Sequence, residues 1–274
     1  MTVCVAVLGR HIPQLEFINV ILGDEPVLEP HERFYQRLLA RDEIEASEIA
    51  ETYLREHSLV ELYDRVLIPA LDLVEQDRHG DALDEKRERY FFDAIRRIVE
   101  SIAERPLSEH DALDEAEGSE KPEAPKVSRP RPGVSILPAR DEADDIAGLM
   151  LQDLLSPETY DVLLLPRGML VGEMIERMGK RLPAVVCISA VLPFALMHAG
   201  NLCKRLRSRF PGLGIIVAVW NAEGDLEKAK ARLLGSGMDR MVTTLAQAEE
   251  QIREMSLTTA LALQRDEAAK LSRG

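Results

Sequence analysis

From residue 134 onward, short apolar runs alternate with stretches whose apolar residues recur every three or four positions. The runs are VSIL at 134 to 137, YDVLLL at 160 to 165, AVVCIS at 184 to 189, GIIVAV at 214 to 219 and DRMVTT at 239 to 244. Each reads as a buried strand, and each precedes a helical pattern. The helical stripes are Ile146, Leu149, Met150 and Leu154, then Leu170, Met174, Ile175 and Met178, then Phe194, Met197, Leu202 and Leu206. Leu226, Ala229 and Leu233 follow, then Leu245, Ala248, Ile252 and Met255. Parallel neighbours need a crossover, and a sheet built this way must be covered on both faces. Five such units over 134 to 255 predict a doubly wound α/β fold of flavodoxin-like order.

Upstream, residues 31 to 104 read as all helix, with segments near 31 to 40, 43 to 56, 59 to 78 and 84 to 103. Each has an inward stripe, for example Leu62, Tyr63, Val66 and Leu67, or Phe91, Ile95, Ile98 and Ile102. Short connections favour antiparallel neighbours, hence a small four-helix bundle. Asp42 marks one helix start, Ser58 with Glu61 forms a capping box, and Gly80 separates the last two helices. Pro69 is expected to bend the longest helix, because it removes a backbone donor and crowds the preceding turn. Between the halves, 105 to 133 is rich in Pro, Glu, Asp, Ala and Ser and reads as a semi-rigid solvated linker, so relative motion of the two halves is expected. Residues 256 to 274 read as a C-terminal helix and tail.

The 274 residues carry a net charge of −14, which disfavours nucleic acid as a partner. Three widely spaced cysteines, Cys4, Cys187 and Cys203, suggest a reducing compartment and no disulfide framework. The apolar run Val3 to Leu8 is too short to span a bilayer and lacks the layout of a secretory signal. It fits either a buried segment or the end of a longer hydrophobic helix.

Candidate chemistry belongs at the carboxyl ends of the strands. The turn PARDEAD after the first strand lacks the glycines of a dinucleotide site. A phosphoacceptor domain would use Asp141 and Glu142, but CISAV offers no aspartate and VTT no lysine where that chemistry needs them. Asp141, Glu142, Asp144 and Asp145 fit either a hard-cation site or the capped start of a helix. Thr243 and Thr244 are read as holders of a ligand oxygen, or, with Gln247, as a helix cap. Trp220, followed by Asn221, is read as a pocket wall or a core residue. His198 lies on a helical stripe and reads as packed. Lys204, Arg205, Arg207 and Arg209 are a solvated face, or a contact for the acidic linker or an anionic lipid surface. The ligand-binding set is therefore Arg140, Asp141, Glu142, Ser189, Trp220, Asn221, Thr243 and Thr244, with no catalytic or metal residue proposed.

A helical bundle containing ELYDRVLIPAL, a linker and a five-stranded α/β half resembles the cap and cobalamin-binding domain of corrinoid proteins, over roughly 33 to 255. That family carries an Asp-x-His-x-x-Gly loop whose histidine ligates cobalt. Asp141 matches its aspartate, Ala143 stands at the histidine and Ile146 at the glycine. Ser189 fits the serine after the third strand, VWNAEG replaces a glycine pair after the fourth, and the cap's Trp and Glu-His contacts have no counterpart between Glu75 and Phe92. Across nearly the whole chain, TVCVAVLGRHIPQLEFINVILGDEPVLEPHERFYQRLLARD and RFPGLGIIVAVWNAEGDLEKAKARLL are similar to the cytoplasmic tail of bacterial permeases of the autoinducer-2 exporter family. That resemblance implies that residues 1 to 30 are the end of a membrane helix and its connector. It also implies a transporter domain as partner in cis and a location at the cytoplasmic face of the inner membrane.

Three readings follow: a noncatalytic regulatory or ligand-sensing module of a permease, a corrinoid-binding protein without the ligating histidine, and a structural assembly module. Cobalamin is the one cofactor these readings name. A small-molecule ligand and a second copy of the chain remain open as partners.

Overall fold

The computed structural model describes residues 28–80, 82–104, 131–193, 195–222, 226–233 and 235–271. The apolar start with Cys4, most of the linker, Phe194, Glu223 and Gly224 lie outside the described residues.

The helical half comprises α1 (Pro30–Leu39), α2 (Glu43–Leu54), α3 (Leu59–Leu62), α4 (Ile68–His79) and α5 (Glu85–Ala103). Asp42 accepts from the Glu45 amide to start α2, and Ser58 and Glu61 cap α3 reciprocally. Between α3 and α4 the chain makes one π turn, Tyr63–Leu67, so that 59 to 79 runs on as helix past Pro69. A wide turn just before a proline accommodates the missing amide and the bulky ring, where an α turn would clash. The π turn aims two side chains out of the bundle. Tyr63 Oη donates to Asp153 at 2.6 Å, and the Asp64 carboxylate accepts from the Leu245 and Ala246 amides at 2.6 and 3.1 Å.

The second half alternates β1 (Gly133–Pro138), α6 (Glu142–Leu154), β2 (Asp161–Leu164), α7 (Val171–Lys180), β3 (Val185–Val191), α8 (Ala195–Arg209), β4 (Gly214–Trp220), α9 (Leu226–Leu233), β5 (Arg240–Val242) and α10 (Leu245–Leu271). All strand pairs are parallel in the order β2-β1-β3-β4-β5, so this is the flavodoxin-like doubly wound sheet. The order reverses between β1 and β3.

Strand alternation divides the apolar residues between two faces. Leu137, Val186, Ile188, Val217 and Val219 pack under α7, α8 and α9. Val134, Ile136, Cys187, Ile216 and Trp220 belong to the other face, under α6 and α10. Gly148 lets α6 settle close to the sheet, since a Cβ there would stand 3.0 Å from Leu164 Cδ1 and 3.1 Å from Ile136 Cγ2.

The α6/α10 face does not end at its helices. Phe34, Leu62, Tyr63, Leu71, Phe92, Ile95 and Val99 of the bundle join it in one buried cluster. The linker composition suggests two independent bodies; the described residues share a core. Burying apolar surface is worth roughly 25 cal/mol per Å², so each half loses stability without the other.

Asp64 therefore caps a helix that lies about 180 residues away. Replacing Asp64 by Ala leaves two amides at the start of α10 unpaired and is expected to cost about 1 to 2 kcal/mol in urea denaturation. Asp64→Asn, which retains an acceptor, is expected to cost less.

Candidate functional site

The bundle sits over the carboxyl edge of the strands, where an open sheet of this order has its ligand crevice. At the centre is Asp144 in the first turn of α6, fully buried. One carboxylate oxygen accepts from the Arg140 and Asp141 amides at 2.7 and 3.2 Å, and the other accepts from the Val191 amide at 2.6 Å. The β1–α6 turn and the end of β3 are thereby pinned together across the switch point. Burial and the neighbouring Asp141 push the Asp144 pKa up to about 7, against the pull of its three amide donors.

Beside it, Ser189 Oγ donates to the Asp144 carbonyl at 2.6 Å and accepts from Trp220 Nε1 at 2.7 Å. Ser189 and Trp220 are both completely buried. Register explains the meeting: Ser189 pairs with Ala218 and Val191 with Trp220, so both side chains point to the bundle face. Of the two readings of Trp220, the structure shows the core residue, packed on the α6/α10 face with its indole N–H on Ser189.

The acidic run is similarly engaged. Asp141 binds Arg78 at 2.8 Å, Asp145 binds Arg96 at 2.7 Å, and Glu142 stands 3.1 Å from Arg167 and 3.9 Å from Arg96. Arg78 and Arg96 come from α4 and α5, so these acids dock the bundle. Among the described residues no group of three or more His, Cys, Asp or Glu side chains is arranged around a metal position.

The remaining members of the sequence-derived set separate. Asn221 adopts φ +49° at the end of β4, donates through Nδ2 to Asp72 of α4 at 3.1 Å, and gives its amide to the Thr243 carbonyl. Thr244 Oγ1 accepts from the Gln247 amide, while Gln247 Oε1 accepts from the Thr243 amide and hydroxyl. These three residues form a turn, a tie to the bundle and a helix cap, the last as the Thr244–Gln247 spacing predicts. Arg140 has an exposed side chain in a cleft on the α7/α8 side, and Asn221 and Thr244, partly exposed, line a second cleft beside Pro69.

Sequence reasoning missed Glu75 and Arg78. Both continue the inward stripe of α4 through Leu71 and Val74, and a charged residue on an apolar stripe was the available signal. Glu75 is 2% exposed; Oε2 lies 3.2 Å from His79 Nε2, and Oε1 has no hydrogen-bond partner among the described residues although Arg78 Nη1 is 3.3 Å away. Burial first, then Asp141, push its pKa up to about 8, with Arg78 opposing. His79 is lowered by burial and by Arg78. Both described cysteines are buried, and burial pushes the thiols of Cys187 and Cys203 up to about 12 and about 11, so neither is a ready thiolate.

With this geometry in view, two solved structures bear comparison. A cobalamin-binding protein from Desulfitobacterium hafniense DCB-2 aligns with 81% of this chain and 97% of its own, at 13% identity and a TM-score of 0.40. The methanol:cobalamin methyltransferase complex of Methanosarcina barkeri aligns with 90% of this chain and 96% of its own chain, at 15% identity and a TM-score of 0.32. The sequence matches no family model and no curated protein.

The residues present do not fit histidine ligation of a corrinoid. Ala143 offers no nitrogen and is fully buried.

Two predictions arise here. Trp220→Ala removes the largest fully buried side chain and is expected to cost about 3 to 5 kcal/mol in chemical denaturation, with Trp220→Phe costing less. Folding raises Glu75 from 4.5 to about 8, so in that window the native state holds a proton that the unfolded chain has released. Its contribution is fully present below pH 4.5 and lost as pH rises through 8, by up to about 1.4 kcal/mol per pH unit. Glu75→Gln should therefore flatten the fall in melting temperature between pH 5.5 and 8.5. An unchanged slope in the variant would exclude Glu75 as its source.

Proposed function

We propose that the chain is a noncatalytic regulatory module that senses a small ligand, built on the cap-plus-α/β architecture of corrinoid proteins. The observation that carries this reading is the closed crevice. The Ser189 hydroxyl is spent between the Asp144 carbonyl and Trp220, the threonines cap α10, and the thiols are buried and protonated. Among the described residues these nucleophiles at the strand ends are engaged in ties within the fold, which supports the noncatalytic reading.

The sequence similarity to the tail of autoinducer-2 exporter permeases supports placing this module in cis to a membrane transporter domain. No helix among the described residues is long and apolar enough to cross a membrane. A ligand regulates such a module only if it favours one arrangement of the halves over another. The ties that such a ligand would bias are Arg78–Asp141, Arg96–Asp145 and Asp64 on α10.

Corrinoid binding is the second reading. It is favoured by the bundle over the carboxyl edge and by Asp141 and Ser189 at the family's positions, and opposed by Ala143 and Trp220. A titration of the full chain with cobalamin separates the two. We expect no saturable change in visible absorption and no quenching of Trp220 fluorescence. Saturable binding, abolished by Ser189→Ala, would overturn the proposal in favour of a corrinoid protein.

A further inference from the structure

We infer that the open cleft on the α7/α8 side of the switch point binds a small organic phosphate. This deepens the ligand-sensing reading by naming the ligand class, and it rests on that reading. The cleft has a volume of about 580 Å³, within the range usual for small-molecule sites. It lies outside the carboxyl end of β1, where Arg140 enters, and is closed by the β2–α7 turn and by α8. Its position beside the order reversal is where an open α/β sheet takes ligands, and here it is the part that the bundle leaves uncovered.

Charge gives the ligand class. The chain carries −14 overall, yet Arg140, Arg167, Lys204 and Arg205 line this one cleft and no carboxylate does. Lys204 and Arg205 have no carboxylate partner among the described residues, and neither has Arg140. Arg167 alone is paired, with Glu142, which Arg96 also approaches. Like charges held together in this way repel, and a multivalent anion relieves that repulsion through charge-assisted hydrogen bonds. Arginine forks match phosphate oxygens, and Asn201 and His198 add neutral or ionisable hydrogen-bonding groups. Met169 and Val171 supply an apolar wall, so the ligand has a nonpolar body as well as its anionic group. The cleft beside Pro69, where Asn221 and Thr244 lie, differs: Glu29, Glu61 and Asp64 line it with Arg65 and His31, so its charge is mixed and it lacks the concentration of cations seen here.

Arg140 also explains how occupancy could be felt elsewhere. Its side chain lines the cleft, its amide donates to Asp144, and the next residue, Asp141, holds Arg78 of the bundle.

The test is calorimetric titration of the full chain with ADP, inorganic pyrophosphate and adenosine, together with flotation on phosphatidylglycerol and phosphatidylcholine vesicles. Arg140→Ala/Arg205→Ala is the variant; both side chains are exposed, and unchanged melting would show an intact fold. We expect saturable binding of ADP, weaker binding of pyrophosphate, none of adenosine, and a loss of roughly tenfold or more in the double variant. Binding should also weaken with added salt. No binding of ADP or pyrophosphate, or binding equal in the variant, would overturn the inference. So would capture by phosphatidylglycerol vesicles without ADP binding, which would make the cleft a membrane contact. Cobalamin binding in the crevice would sink the regulatory reading without moving any of these outcomes, so the two failures are distinguishable.

Discussion

The arrangement of the carboxyl edge depends on one buried carboxylate. Asp144 gathers the amides of Arg140, Asp141 and Val191, and its own carbonyl receives Ser189, which in turn receives Trp220. A carboxylate removed from water is costly unless donors surround it, and here the donors are main-chain groups of two different strand ends. The network is consequently satisfied only when β1, β3, β4 and α6 are all in place. It replaces an open crevice with a fixed joint, and the surface on which the bundle docks is the outside of that joint.

Docking combines two kinds of force. The apolar cluster running from Phe34 to Ile252 supplies the driving force without direction. Tyr63, Asp64, Asp72, Arg78 and Arg96 supply direction, since each can meet its partner on the α/β half in only one orientation. Partly buried ion pairs add little net stability, but an unpaired one is expensive, so misdocked arrangements are penalised. Glu75 fits the same scheme: among Asp141, Asp144 and Glu88, with Arg78 and His79 the nearby basic groups, it stays uncharged near neutrality and avoids adding a third negative charge next to Arg78.

The elements were legible because their causes are local. Five apolar runs gave five strands, with edges that shifted by at most two residues, and the caps at Asp42, Ser58 and Thr244 formed where the residue types ask for them. The wide turn ahead of Pro69 was not legible as such; the sequence announces a proline in a helix, whereas relief by a π turn depends on what Tyr63 and Asp64 find beyond it. At the site, proximity to the strand ends was read as availability to a ligand. In the fold Ser189 and Trp220 are buried, and Asn221 is tied to Asp72 of the bundle. Arg140, on the side away from the bundle, lines an open cleft, and Asn221 and Thr244 line another beside Pro69. Which face the bundle would cover follows from long-range packing, and no local pattern carries it.

The shared core alters what the segment from 105 to 130 has to do. A tether between free bodies sets their distance and their freedom. Here α5 and β1, on either side of it, belong to one packed assembly, so contact between the halves depends little on the length of the connection, since closure entropy grows slowly, by about 0.6 kcal/mol for each doubling. Cutting the chain within it would leave two fragments facing each other across the same apolar surface, held by Asp64 on α10 and by Arg78 on Asp141. In that sense the polypeptide is a complementing pair that happens to be covalently joined.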